Sequence, residues 1–150
     1  ADSRKYVGQW TRDIREVAAR TKDFLNYEEL SVALFPDKSY DKDGCWSGTA
    51  IVKDDTLFLF YASIHDGIQS VSVAYSTDGV NFEKYKCNPI ISGFPADGCP
   101  DFRDPAVCYS DGKYYCVMAS GNRESIFSMR SVSATEKLTG TSKRETTSKR

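Results

Sequence analysis

Two stretches of this chain match each other. "WSGTAIVKDDTLFLF", beginning at Trp46, aligns with "FRDPAVCYSDGKYYC", beginning at Phe102, at an offset of 56 residues, so that Trp46 meets Phe102, Ala50 meets Ala106 and Asp55 meets Asp111. A second pair, "VAARTKDFLNYEEL" from Val17 and "VAYSTDGVNFEKYK" from Val73, repeats the offset of 56 and slips to 55 where Asn26-Tyr27-Glu28 meets Asn81-Phe82-Glu83. A weaker third copy starts at "SIFSMRSVS", where Phe127 and Met129 fall 56 beyond Val71 and Val73. Repetition at a fixed period means that one supersecondary unit is stacked on copies of itself, because a single unit cannot bury its own apolar face.

The unit is a meander. "SGTAIV", "TLFLFYAS", "QSVSVAYST" and "NFEKYK" are short, rich in β-branched and aromatic residues, and separated by "KDD", "HDG" and "TDG", which carry turn chemistry. A four-stranded unit at this period predicts an all-β fold, a β-propeller with each blade packed face to face on the next around a channel. A single β-sandwich is the alternative, and the recurrence of strands and turns in one order argues against it. On the propeller reading, the chain holds the outer half of one blade, a whole blade from Trp46 to Lys86 and the inner half of a third. Because propellers close with four to eight blades, the chain is expected to be a partial propeller over residues 1–134, about two blades, whose partners are the missing blades of its own fold. Residues 135–150, with "TSKRETTSKR", read as a polar, basic, disordered tail.

Composition excludes several functions. A net charge of −1 with both signs interspersed offers no footprint for a phosphate backbone, so nucleic acid is not an expected partner. No apolar run reaches the length of a membrane-spanning helix. The N-terminus "ADSRKYVGQW" lacks an apolar signal stretch and an initiator Met, so the chain reads as mature, trimmed or a fragment. Five cysteines (Cys45, Cys87, Cys99, Cys108, Cys116) without CxxC spacing, and one histidine, His65, do not compose a metal site, and no cofactor motif is present. Free, mostly buried thiols in a reducing, cytoplasmic setting are expected, with disulfides in a secreted protein as the alternative. His65 reads as a loop residue. A nucleophile–histidine triad would have to use it, and no GxSxG elbow accompanies it.

The chemistry concentrates where innermost strands begin. In "DFRDPAV", Pro105 is expected to hold Asp104 extended at the channel mouth with Arg103 beside it. A carboxylate accepting from vicinal hydroxyls next to a planar guanidinium donor suits a carbohydrate, although Arg-Asp-Pro can equally be a strand-initiating turn with a surface ion pair. In the preceding unit "DKDGCWSGTA" places Trp46, Ser47 and Gly48 in register with Phe102, Arg103 and Asp104, adding an aromatic face and a hydroxyl. Taken alone, Trp46 reads as a core residue.

These residues carry a resemblance. "ELSVALFPDKSYDKDGCWSGTAIV", "VAYSTDGVNFEKYKCNPII" and "DFRDPAVCYSDGKYYCVMAS" are similar, in order and spacing, to the five-bladed catalytic propeller of glycoside hydrolase family 32, the β-fructosidases, over roughly residues 16 to 120. The resemblance implies hydrolysis of β-fructofuranosyl bonds in sucrose, sucrose 6-phosphate or fructans by a retaining, double-displacement mechanism with a carboxylate nucleophile and a carboxylic acid/base. Neither the family's asparagine-aspartate-proline-asparagine nucleophile motif nor its glutamate-cysteine acid/base motif occurs in the chain. The resemblance implies that Asp104 is the transition-state stabiliser, Arg103 its substrate-binding neighbour, and Trp46 with Ser47 part of the fructosyl subsite. Glu29, Asp78 and Glu83 match only general blade sequence and read as structural. The family often has tryptophan-glycine-histidine where Glu16, Val17 and Ala18 stand, which leaves substrate identity open. A fructosyltransferase and a non-catalytic sugar-binding propeller remain alternatives.

Overall fold

The computed structural model describes residues 16–96 and 98–121. The suggested third copy at Phe127 and Met129 and the tail from 135 lie outside the described residues. Eight strands follow in order: β1 (Glu16–Thr21), β2 (Tyr27–Leu34), β3 (Gly44–Lys53), β4 (Thr56–His65), β5 (Ile68–Ser76), β6 (Glu83–Lys84), β7 (Asp101–Ser110) and β8 (Lys113–Gly121). They form three antiparallel sheets, β1-β2, β3-β4-β5-β6 and β7-β8. The fold is all-β, and the sheets are successive propeller blades: the outer pair of one, a complete second, and the inner pair of a third.

Turn chemistry sets the hairpins. Asp54 and Asp55, Asp66 and Gly67, and Asp111 and Gly112 all have φ between 49° and 77°. Two consecutive left-handed residues make the two-residue loop whose twist matches that of its flanking strands, and Asp and Gly are the residues that tolerate it. His65 ends β4 opposite Ile68 at one of these turns, so it belongs to a hairpin and not to a free loop.

Cross-strand partners share a face, which divides the complete blade in two. Cys45, Leu59, Tyr61, Ser63, Ser70, Ser72 and Ala74 fall on one face. That face meets β2, where Leu34, Cys45, Tyr61 and Ala74 form one core with Ala33, Leu59 and Phe82. The opposite face carries Ala62, Val71 and Trp46. It turns toward β7 and β8, where Val71, Phe102, Cys116 and Met118 form the second core with Ile90, Ile91 and Val107. β5 is buried along most of its length because both of its faces are covered. Each such apolar side chain contributes about 1.5–3 kcal/mol on burial. β3 is an edge strand of its sheet, and β7 packs against it.

The structure corrects the register of the repeat. Cys45 pairs with Ser63 and Trp46 with Ala62, while Phe102 pairs with Ser120 and Arg103 with Ala119. Both hairpins close at equivalent rungs, Lys53 with Thr56 and Ser110 with Lys113. The innermost hairpins are therefore related by 57 residues (Lys53 to Ser110), not 56. Phe102 corresponds to buried Cys45, Arg103 to Trp46 and Asp104 to Ser47. The aromatic match of Trp46 with Phe102 was chemically attractive and sterically false: Phe102 faces the blade core, whereas Trp46 lies on the opposite face of its own strand pair.

The outer strands repeat at 55, hydrogen bond for hydrogen bond. Asp78 Oδ1 accepts from the Val80 and Asn81 amides, Asn81 Nδ2 donates to Asp78 Oδ2, and Ser76 Oγ accepts from the Gly79 amide. Asp23 does the same with Leu25 and Asn26, and Thr21 Oγ1 with the Phe24 amide. These bonds hold both carboxyls well below the usual carboxylate range. Asp78 thus holds its own loop, and a hydrogen bond to Glu83 raises the Tyr75 hydroxyl pKa.

Candidate functional site

The starts of β3 and β7 share one irregularity. The β3–β4 ladder steps from Trp46↔Ala62 to Gly48↔Tyr61, leaving Ser47 without a partner. The β7–β8 ladder steps from Arg103↔Ala119 to Ala106↔Val117, so Asp104 and Pro105 stand against Met118 alone. A bulge re-aims the side chain of the extra residue. At the equivalent position of two packed strands, one bulge presents Ser47 and the other Asp104.

Local sequence makes these bulges. Gly48 is required, because a Cβ there would lie 1.7 Å from the Phe60 carbonyl oxygen. Pro105 lacks an N–H, which costs nothing where no ladder bond is made, and its ring is buried. Asp104 has a φ of 56°, so it is left-handed and not extended as the following proline predicts. The reason is the bulge: two residues must fit the span of one, and a local left-handed turn absorbs the excess.

Magnitudes show that the Arg103–Asp104 ion pair does not cause this conformation. A non-glycine residue in the left-handed region costs about 1–3 kcal/mol. The ion pair it gains, Arg103 Nε to Asp104 Oδ2 at 3.8 Å, is solvent-exposed, with the Asp104 side chain 56% accessible, and such pairs are worth about 0–1 kcal/mol. The bulge, and not the ion pair, therefore sets the left-handed turn at Asp104.

Arg103 is itself held. Its Nη1 lies 2.7 Å from Asp101 Oδ1 and donates at 3.5 Å to Gln69 Oε1, and the same oxygen accepts the Phe102 amide at 2.9 Å. Trp46 is half-buried on the face that β7 and β8 cover, and Ser47 is exposed. The structure thus places all four candidate residues at the starts of two packed strands. Among the described residues, no group of three His, Cys, Asp or Glu side chains is placed to hold a metal ion.

Behind β3 sits a polar cluster that sequence reasoning missed. Asp41 is fully buried, and its Oδ2 lies 2.5 Å from Lys84 Nζ and accepts from Tyr61 at 3.0 Å, while its Oδ1 accepts the Lys38 amide. Lys84 also reaches Asp37 Oδ1 at 2.6 Å and the Phe35 carbonyl. Burial alone would lower the Lys84 pKa, and the hydrogen bonds to Asp37 and Asp41 more than reverse that. Burial, then the Asp41 charge, pushes the Cys45 thiol up to about 12 and the Tyr61 hydroxyl well above its usual range. The cluster ties the loop before β3 to β6 and so anchors Cys45, next to Trp46. One signal was available: the 55-residue repeat puts Glu29 where Lys84 stands, a reversal of charge that marks the position.

The thiols are less buried than expected. Cys45 and Cys116 are buried, Cys99 is half-buried, and Cys87 and Cys108 are exposed.

Residues 8–147 match the model of the glycosyl hydrolases family 32 N-terminal domain. The chain belongs to this family. Among its relatives, sucrose-6-phosphate hydrolase of Bacillus subtilis is 36% identical over 105 residues, covering 67% of the chain and 21% of that protein. The levanase of the same organism is 35% identical over 128 residues, covering 76% of the chain and 18% of the levanase. The GH32 beta-fructofuranosidase of Bombyx mori superposes with a TM-score of 0.62 at 32% identity, over 71% of the chain and 23% of that structure. The chain spans about a fifth of the length of these relatives.

Proposed function

We propose that the protein carrying this chain is a β-fructofuranosidase-type glycoside hydrolase, and that the chain supplies the fructosyl-gripping wall of its site. Paired bulges at the starts of β3 and β7, with Asp104 strained into the left-handed region, are the observation that carries this reading. Asp104 accepts hydrogen bonds from fructosyl hydroxyls and stabilises the positive charge that grows on the ring as the glycosidic bond breaks. Arg103 donates to the same sugar, Ser47 adds a hydroxyl from the neighbouring blade, and Trp46 backs the pocket. In a retaining mechanism the nucleophile and the acid/base are two further carboxyl groups, and both are assigned to residues outside this chain. The substrate class is sucrose, sucrose 6-phosphate or a fructan, a reading supported by the names of the sucrose-6-phosphate hydrolase and levanase relatives.

The test is Asp104→Asn in the full-length protein. Asparagine also tolerates the left-handed region, so the fold is kept while the charge is lost. An interaction that strengthens only as charge develops is lost mainly from the transition state, so kcat should fall by about 10²–10³ with a smaller change in KM. Arg103→Lys keeps the charge and loses the planar fork, and its cost should fall more on KM. Release of fructose from sucrose measures both. A folded Asp104→Asn variant with kcat within about threefold of wild type means that Arg-Asp-Pro is only a strand-initiating turn.

A further inference from the structure

We infer that Gln69 and Asp101 are positioning residues for Arg103, an inference that rests on the fructosidase reading above. A guanidinium is a rigid planar fork of five N–H donors on a flexible stem, so its usefulness in a site depends on what fixes the plane. Here Nη1 is taken by two acceptors, Asp101 Oδ1 at 2.7 Å and Gln69 Oε1 at 3.5 Å, while Nε faces Asp104 Oδ2 at 3.8 Å. These contacts engage Nη1 and Nε, and none of the described residues bonds Nη2, which is left for a ligand.

Gln69 does this from the neighbouring blade. It is the second residue of β5, and its Oε1 also receives the Phe102 amide at 2.9 Å. One oxygen atom therefore ties the backbone at the start of β7 and the Arg103 side chain to the blade that carries Trp46 and Ser47. That tie is directional, as apolar packing between the two halves of the fructosyl wall is not. Asp101 is exposed and contributes little to stability, so its bond to Arg103 acts on orientation.

The experiment uses the full-length protein with Gln69→Leu, Asp101→Ala, Arg103→Lys and the two double variants that combine the first and second with the third. Steady-state hydrolysis of sucrose, sucrose 6-phosphate and levan is measured. Each of the first two single variants should lower kcat/KM about tenfold, mostly through KM, the scale of one lost charge-assisted contact. In the Arg103→Lys background the same changes should cost less than about twofold, because residues acting through one side chain are not additive. A merely structural role predicts the opposite, with losses that multiply in the double variants, and that result overturns the inference. Asp101→Ala keeps the test decisive if Gln69→Leu does not fold, since Asp101 lies at the surface. A wild-type protein that cleaves none of the three substrates overturns the proposed function itself. An active wild type with independent effects overturns only the positioning role.

Discussion

Replacing Lys84 with Met removes the cation that, among the described residues, pairs with a fully buried carboxylate. Lys84 Nζ and Asp41 Oδ2 are 2.5 Å apart, with the Lys84 side chain 9% accessible and Asp41 at 0%. At an effective dielectric of about 20 this contact is worth about 6–7 kcal/mol of Coulomb energy before desolvation is counted. Three neutral partners remain to Asp41, the Lys38 amide, the Tyr61 hydroxyl and the Cys45 thiol. They recover part of the loss, so a net destabilisation of about 3–5 kcal/mol is expected, the range for orphaning one member of a buried pair. The double variant Asp41→Asn/Lys84→Met should recover more than half of that, because no charge is left unpaired. Denaturant unfolding of the full-length protein, followed by tryptophan fluorescence with Trp46 as a nearby reporter, measures the series. The pH dependence is a second check. The Lys84 pKa is raised on folding, so its contribution is fully present below the unfolded value near 10.4 and is lost as pH climbs through the higher folded value. If Lys84→Met costs less than about 1 kcal/mol, the pair is not coupled to the fold and the cluster does not anchor β3.

Three further outcomes follow from the geometry. Gly48→Ala should cost about 3 kcal/mol or more, because its Cβ would overlap the Phe60 carbonyl, and it should displace Ser47, so urea midpoint and fructose release should fall together. Asp78 is held deprotonated by its loop, so its contribution is present above its ordinary value of 3.8 and lost as pH falls below it. Asp78→Asn should flatten the acid limb of a stability-versus-pH curve. Burial and the Asp41 charge push the Cys45 thiol to about 12, and burial raises Cys116 to about 11, so both should resist iodoacetamide at neutral pH while exposed Cys87 is alkylated, as read by peptide mass spectrometry.

The all-β class, the meander and the hairpin turns were legible in the sequence because each depends on a few neighbouring residues: alternation along "QSVSVAYST", and Asp or Gly where two left-handed residues are needed. The repeat, and with it the stacking of blades, was legible because the same local solution recurs. Asp104, Arg103, Trp46 and Ser47 were found from motifs in which proline and glycine punctuate a strand start. The register of the inner hairpins was not legible. Matching Trp46 to Phe102 by aromatic character placed the inner hairpins at 56, and only the hydrogen-bond ladders set them at 57, whereas the slip to 55 in the outer strands was already readable where Asn26-Tyr27-Glu28 meets Asn81-Phe82-Glu83. The left-handed Asp104 was likewise beyond local rules, because the preference imposed by Pro105 is weaker than the demand that two residues span one rung. Gln69, Asp101, Asp41 and Lys84 have no residue pattern that states their contacts. Their roles come from oxygen and nitrogen atoms that meet across 43 residues of chain for Asp41 and Lys84, once the loop before β3 closes on β6, and 34 for Gln69 and Arg103, once two blades pack.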